Sequence, residues 1–168
     1  NDAPGAVARL VDMNIEPYLL SAALNGVVAQ RLARMICASC ATKYYPAENV
    51  LRDAGLEKES GRPFRKGAGC RSCHNSGFRG RTGVYEVMEL TSQLRRMIHH
   101  GRPMHELRDE LRRCGMLSLR EEGVEIALQG KTSLEEVLRV TQNDDLDHAV
   151  PSSDTGTAAK ASDRKEAA

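Results

Sequence analysis

Two cysteine pairs, Cys37-Ala38-Ser39-Cys40 and Cys70-Arg71-Ser72-Cys73, decide the interpretation of this 168-residue chain. Two residues separate the thiols of each pair, so both sulfurs of a pair can turn toward one point. Four thiolates at about 2.3 Å form a closed tetrahedral Zn²⁺ site that supports structure and leaves no position for a substrate. The spacing therefore predicts one structural metal ion at the base of a long insertion, bound by Cys37, Cys40, Cys70 and Cys73.

Other uses of these cysteines stay open on sequence alone. A Cys-x-x-Cys motif can be a redox dithiol, although a single pair is typical of that function. Two disulfides would suit a secreted protein and would leave Cys114 over. We expect Cys114 to be a small buried residue on a helical stripe. His74, next to Cys73, is an alternative metal ligand.

Composition and charge exclude several classes of protein. The 24 Lys and Arg residues nearly balance 23 Asp and Glu residues, so we expect no global attraction to nucleic acid or membranes. No apolar run approaches the roughly 20 residues of a membrane span. Free cysteines around a zinc site indicate a reducing compartment, the cytoplasm. The chain opens without Met at a helix start, which indicates a piece of something longer.

Two strands are predicted to flank the cysteine-containing insertion. Residues 27–34 follow the breaker Asn25-Gly26 and are typical of a strand, although one helix through Ile36 also fits their apolar spacing. Residues 82–90 predict the second strand, and residues 46–56 a short helix within the insertion. We expect the two strands to be neighbours, with the insertion at their shared end.

Helical patterns occupy both ends of the predicted fold. Before the first strand, one helix begins at Asp2 and ends at Asn14, and another begins at Pro17. Four helical units follow the second strand, and the composition after residue 142 predicts a disordered tail. Three helix caps are predicted after the second strand, at Thr91, Ser118 and Thr132.

The triplet Gly130-Lys131-Thr132 resembles the end of a phosphate-binding loop. That loop requires glycine five residues before Gly130, where Glu125 stands, and it follows a strand rather than a helix. We therefore interpret the triplet as a helix end followed by a helix cap. Residues 1–168 contain no complete nucleotide cradle.

Basic residues are concentrated in the predicted insertion. They can contact phosphate groups of nucleotides, nucleic acid or acidic lipids, or they can form a solvated face that offsets the negative charge of a zinc tetrathiolate. Both interpretations stay open. The basic cluster consists of Lys58, Arg62, Arg65, Lys66, Arg71, Arg79 and Arg81.

Several stretches together resemble one family. The most specific is GFRGRTGVYEVM at residues 77–88. The others are NDAPGA at residues 1–6, EPYL at 16–19, AQRL at 29–32, the two cysteine pairs, GMLSL at 115–119 and GKTSLEEVLRVT at 130–141. This combination, which covers roughly residues 1–142, resembles the C-terminal third of the traffic ATPases of type II secretion and type IV pilus assembly.

The resemblance implies a fold class, an α+β fragment: the end of a RecA-like α/β ATPase core with a tetracysteine zinc-binding insertion and a C-terminal helical subdomain. The implied boundaries are 1–36 for the end of the core, 37–81 for the insertion, 82–142 for the returning strand with the helical subdomain, and 143–168 for the tail. The family's phosphate loop and Mg²⁺-binding acidic box would lie before Asn1. No catalytic residue is therefore assigned, and we expect the chain alone to be inactive.

The resemblance also implies cofactors and partners. The intact parent would be a cytoplasmic homohexamer, peripheral at the inner membrane, that binds ATP and Mg²⁺ and contacts platform proteins of a secretion or pilus system. Zn²⁺ would be structural. Arg31 is a candidate for reaching a nucleotide or a neighbouring subunit, although we expect a structural ion pair instead. Acidic lipid headgroups are a further candidate partner, whereas nucleic acid is not expected. From a different class, the alternative is a stand-alone zinc-ribbon module that binds nucleic acid through its basic loop.

Overall fold

The computed structural model describes residues 2–142, a mixed α/β arrangement of helices and two small sheets. The predicted tail lies outside the described residues. In chain order the elements are α1 (Ala3–Asp12), α2 (Pro17–Ala23), β1 (Gly26–Ile36), β2 (Ala41–Tyr44), α3 (Glu48–Asp53), β3 (Phe64–Gly67), β4 (Phe78–Glu89), α4 (Ser92–His99), α5 (Met104–Arg113), α6 (Leu119–Leu128) and α7 (Leu134–Val140). Within this part of the chain, no helix is both long and apolar enough to cross a bilayer.

The first two helices form where the sequence predicts them. Asp2 caps α1 because its carboxylate accepts a hydrogen bond from the Gly5 N–H at 3.0 Å, and Pro4 occupies the first turn, where no N–H partner is needed. Asn14 has a left-handed φ of 62° just after the helix ends. Pro17 opens α2, which turns the chain into the first strand.

The two long strands, β1 and β4, pair with each other in antiparallel register. Val28 lies opposite Val87 and Arg31 opposite Val84, and the register shifts between Arg34 and Ile36. The predicted neighbouring strands are therefore confirmed, and the alternative of a helix through Ile36 is wrong. The β-branched residues after Gly26 favour the extended backbone. The insertion leaves the end of β1 and returns at the start of β4.

The insertion contains a small hairpin of its own. Strands β2 and β3 pair antiparallel, with Tyr44 opposite Phe64 and Ala41 opposite Gly67. The predicted short helix is present as α3, with Leu51 buried. This hairpin was not predicted, because four-residue strands of mixed polarity carry little periodic signal. It brings the segment after Cys40 next to the segment before Cys70.

Helix caps position the C-terminal segments. Thr91 and Ser118 cap α4 and α6 as predicted, and Ser118 forms a reciprocal capping box with Glu121. The predicted cap at Thr132 is wrong, because α7 begins one residue later and Ser133 accepts the hydrogen bond from the Glu136 N–H. Thr132 is instead fully buried.

Three clusters of buried apolar side chains hold these elements together. One lies among α1, α2, β4, α4 and α5, and a second lies between the β1–β4 sheet and α6. The third joins the insertion to the last two helices, because Leu51 and Phe64 pack with Val124, Leu134 and Val137. The insertion is therefore docked on α6 and α7 by apolar contacts.

Candidate metal centre

The four cysteines of the two pairs meet at one point. Their sulfur atoms all lie within 4.8 Å of one another, although 33 positions separate Cys37 from Cys70. Cys37 and Cys73 are buried, whereas Cys40 and Cys70 are partly exposed. The first pair follows β1 directly, and the second precedes β4, so the pairing of the long strands brings the two pairs together.

The sulfur spacing fits a tetrahedral ion. Four sulfurs at about 2.3 Å from a central zinc ion lie about 3.8 Å from one another. The Sγ–Sγ distance is 3.8 Å for Cys37 and Cys70, 3.8 Å for Cys40 and Cys73, and 3.7 Å for Cys70 and Cys73. All five cysteines of the chain are free thiols, so the disulfide alternative finds no support. The cluster can therefore hold one metal ion.

The backbone around the second pair is wound tightly about the Cys73 sulfur. That sulfur accepts hydrogen bonds from the Cys70 N–H at 3.2 Å and the Gly77 N–H at 3.3 Å. His74 and Asn75 both have positive φ, which turns the chain back toward the sulfur. The His74 side chain is exposed and is not part of the four-atom cluster. Two N–H donors on one sulfur stabilise a thiolate at this position.

Two glycines make the closure of the site possible. Gly77 has φ of 76°, and a side-chain carbon there would lie 2.6 Å from the Gly67 carbonyl oxygen. A side-chain carbon on Gly67 would lie 1.9 Å from the Gly77 carbonyl oxygen. The two backbones are in direct contact, and only glycine, which has no side-chain carbon, allows this close approach. The Gly77 carbonyl also accepts the Cys37 N–H at 2.9 Å, which joins the two cysteine pairs.

Two of the four thiols, Cys40 and Cys73, have pKa values shifted in opposite directions. Burial raises the pKa of Cys73, but the N–H donors of Cys70 and Gly77 outweigh burial and lower that pKa to about 6. Burial and the contacts with the other thiols raise the pKa of Cys40 to about 12, although a hydrogen bond from the Gly69 backbone acts in the opposite direction. Metal binding would therefore displace protons from this cluster, which makes metal affinity depend on pH.

Two single-residue predictions have different outcomes. Cys114 is exposed, so the prediction of a buried residue is wrong; α5 ends at Arg113 and the thiol lies past the buried stripe. Arg31 lies on β1 with its Nε atom buried and without a hydrogen-bond partner. The structural ion pair expected for Arg31 is not found between residues 2 and 142. Its proposed contact with a nucleotide stays a prediction.

The basic cluster is a solvent-facing surface. All seven of its side chains are exposed. Arg62 forms an ion pair with Glu59 at 3.0 Å, and the Lys66 ammonium lies 5.0 Å from the centre of the Tyr44 ring. The Arg65 side chain passes next to Gly130, where a side-chain carbon would meet it at 2.8 Å. The surface is therefore partly committed to internal contacts.

Glu136, a charged residue that contacts β1 shortly before the first cysteine pair, was not identified from the sequence. The Glu136 side chain is fully buried and accepts hydrogen bonds from Arg34 and Arg139. Its partner Arg34 is close to the cysteines along β1 but is 102 positions away from Glu136 in the chain. The pattern Ser133-x-x-Glu136 marks the start of a helix, but it does not indicate that the Glu136 side chain is buried against Arg34.

Comparison with known proteins decides the family. Residues 1–139 match the family described as "Type II/IV secretion system protein". The chain belongs to this family. The match covers the cysteine pairs, both long strands and nearly all of the described helices.

Individual relatives within the secretion and pilus family agree. The chain is 41% identical over 143 residues to type II secretion system protein HxcR of Pseudomonas aeruginosa, covering 85% of this chain and 27% of the relative. It is 44% identical over 150 residues to type IV pilus assembly ATPase PilB of Myxococcus xanthus, covering 86% and 26%. It is 40% identical over 144 residues to type II secretion system protein E of P. aeruginosa, covering 86% and 28%. The chain thus spans about a quarter of the length of these curated relatives.

Proposed function

We propose that this chain is the C-terminal, zinc-binding part of a hexameric ATPase that powers type II protein secretion or type IV pilus assembly. The observation that carries the proposal is the four-thiol cluster at the root of an insertion, in a chain of the secretion and pilus family. In this proposal residues 1–36 complete a RecA-like core, residues 37–81 are the zinc-binding insertion, and residues 82–142 form the returning strand and a helical subdomain. ATP and Mg²⁺ would bind in the intact protein.

Zinc would have a structural role here. Cys37, Cys40, Cys70 and Cys73 would supply four ligands, which fill the coordination sphere and leave no position for water or substrate. The ion would contribute charge neutralisation and folding free energy rather than reaction chemistry. The residues of the chain provide the rest: Gly67 and Gly77 allow close approach, and Leu51 and Phe64 anchor the insertion on α6 and α7.

The insertion, closed at its base by zinc, would serve as a rigid contact surface. In the intact protein its partners would be neighbouring subunits of the homohexamer and platform proteins at the cytoplasmic side of the inner membrane. The exposed basic cluster supports contact with acidic groups, including lipid headgroups. Arg31 would reach a nucleotide or a neighbouring subunit, since its buried Nε lacks an acceptor within the described residues.

Zinc content tests the proposal directly. The purified chain should contain about one zinc ion per molecule by elemental analysis. Cys70→Ser should lose that ion and increase amide exchange across the insertion. Cys114→Ser is the matched control, because the same atom change at an exposed cysteine outside the cluster should leave zinc content unchanged. A zinc-free unaltered chain, or equal zinc in both variants, would contradict the assignment.

A further inference from the structure

The end of β1 forms hydrogen bonds with residues that lie much later in the chain. The Arg34 N–H donates to Glu136 Oε1 at 3.0 Å, and the Thr132 hydroxyl donates to the Arg34 carbonyl at 2.7 Å. The Ile36 N–H donates to the Lys131 carbonyl at 2.9 Å. The α6–α7 loop and the Glu136 side chain on α7 thus satisfy backbone groups that a third strand would otherwise satisfy. These contacts fix the end of β1 immediately before Cys37, the first cysteine of the four-cysteine cluster.

Glu136 is the centre of this contact. Its carboxylate accepts two hydrogen bonds from Arg34, through the backbone N–H and through Nη2 at 2.7 Å. It accepts two more from Arg139, at 2.8 Å and 2.7 Å. Burial raises the pKa of Glu136, but the two guanidinium groups outweigh burial and lower that pKa to about 2. A buried carboxylate with four donors strongly opposes any displacement of the strand end that would remove half of them.

The same strand end connects directly to the cysteines. Cys37 follows Ile36, and its N–H donates to the Gly77 carbonyl at 2.9 Å. The Gly77 N–H in turn donates to the Cys73 sulfur at 3.3 Å. The Arg34 guanidinium also lies over the Phe78 ring, 4.2 Å from its centre, next to Gly77. One continuous set of contacts therefore joins the Glu136 carboxylate to ligands from both cysteine pairs.

We propose that Glu136 is a positioning residue for the metal site. This inference rests on the proposed zinc binding. Glu136 fixes the point from which Cys37 leaves β1, so the cysteines are already arranged when the ion binds. The docking of α7 and the binding of zinc are then coupled. Because such coupling is reciprocal, zinc binding stabilises the docked position of α7, and the docked α7 raises the affinity for zinc by the same factor. Residues that orient metal ligands typically change affinity by about 10- to 100-fold when they are altered.

Glu136→Gln separates charge from shape. The amide keeps the size of the side chain but removes the negative charge that both arginines face, so the strand end loses its charge-assisted contacts. Zinc affinity of the full chain, measured by competition with a chromophoric chelator, should fall on the order of tenfold. Glu121→Gln is the matched control: it removes the same charge from a capping glutamate on α6, and its zinc affinity should stay within about twofold.

Amide hydrogen exchange gives a second measurement, and its first comparison, the unaltered chain with and without zinc, needs no variant. Adding zinc should slow exchange within α7 (Leu134–Val140), and Glu136→Gln should reduce that protection. The coupling is refuted if the unaltered chain binds zinc but Glu136→Gln binds it equally tightly, or if zinc leaves α7 exchange unchanged. If the unaltered chain binds no zinc, the proposed metal site fails and the coupling fails with it. If Glu136→Gln does not fold, α7 exchange with and without zinc decides.

Discussion

The contact between Gly67 and Gly77 gives a sharp test of how the metal site closes. We consider Gly77→Ala, which places a side-chain carbon at φ of 76° and 2.6 Å from the Gly67 carbonyl oxygen. The left-handed backbone costs about 1–2 kcal/mol for a non-glycine residue. Relieving the close contact moves the Gly77 backbone, which also loses its hydrogen bond to the Cys73 sulfur. A hydrogen bond to a charged group contributes about 1.5–3 kcal/mol.

The lower ends of these two ranges sum to about 2.5 kcal/mol, which corresponds to a loss in zinc affinity on the order of 50- to 100-fold if the unbound loop relaxes. Chelator competition at neutral pH under reducing conditions measures that loss, and urea unfolding of the zinc-bound chain provides a second readout.

Two control variants separate the two causes. Gly67→Ala tests the contact alone, because Gly67 has no positive φ but its added carbon would lie 1.9 Å from the Gly77 carbonyl oxygen; we expect at least tenfold weaker zinc binding. Gly55→Ala tests the backbone conformation alone, because Gly55 has φ of 69° and open space around it. It should cost about 1 kcal/mol of stability without changing zinc affinity. If Gly67→Ala binds zinc as tightly as the unaltered chain does, the close Gly67–Gly77 contact is not required for the site to close and the prediction is refuted.

Two further predictions concern the attachment of the insertion and the chemistry of the chain. The Tyr44 hydroxyl donates a hydrogen bond to Glu135 at 2.7 Å. Burial is the main cause that raises the pKa of Tyr44, and the Glu135 carboxylate raises it further. Tyr44 therefore stabilises the fold below about pH 10 and loses that contribution as the pH rises further; Tyr44→Phe should cost about 1 kcal/mol at pH 7 in urea unfolding and should flatten the alkaline decline. An unchanged alkaline decline would count against this contact. ATP hydrolysis by the purified chain should stay at the protein-free background, and activity that co-purifies with the chain would contradict that expectation.

The sequence predicts the four-cysteine cluster and the long strands because both signals are local. Cysteine spacing is two residues within each pair, and the β-branched residues after Gly26 specify an extended backbone over a short window. Pairing of β1 with β4 then follows, because the cysteines at their ends must meet. The caps at Asp2 and Ser118 are likewise local patterns.

The features that were missed depend on distant partners or on one-residue shifts. Glu136 is buried because Arg34, 102 positions earlier, supplies two donors, and no local pattern encodes that contact. The β2–β3 hairpin forms because the insertion is closed at its base, not because its four-residue strands have strong periodicity. Thr132 and Ser133 are both competent caps, and the contact of Thr132 with Arg34 leaves Ser133 as the cap.

X-ray absorption spectroscopy at the zinc edge tests the central claim most directly. A closed site of Cys37, Cys40, Cys70 and Cys73 requires four sulfur neighbours at about 2.3 Å and no oxygen or nitrogen neighbour. We predict that spectrum for the zinc-loaded chain. A coordination shell containing nitrogen or oxygen, or fewer than four sulfurs, would contradict a structural tetrathiolate site and the rigid insertion that depends on it.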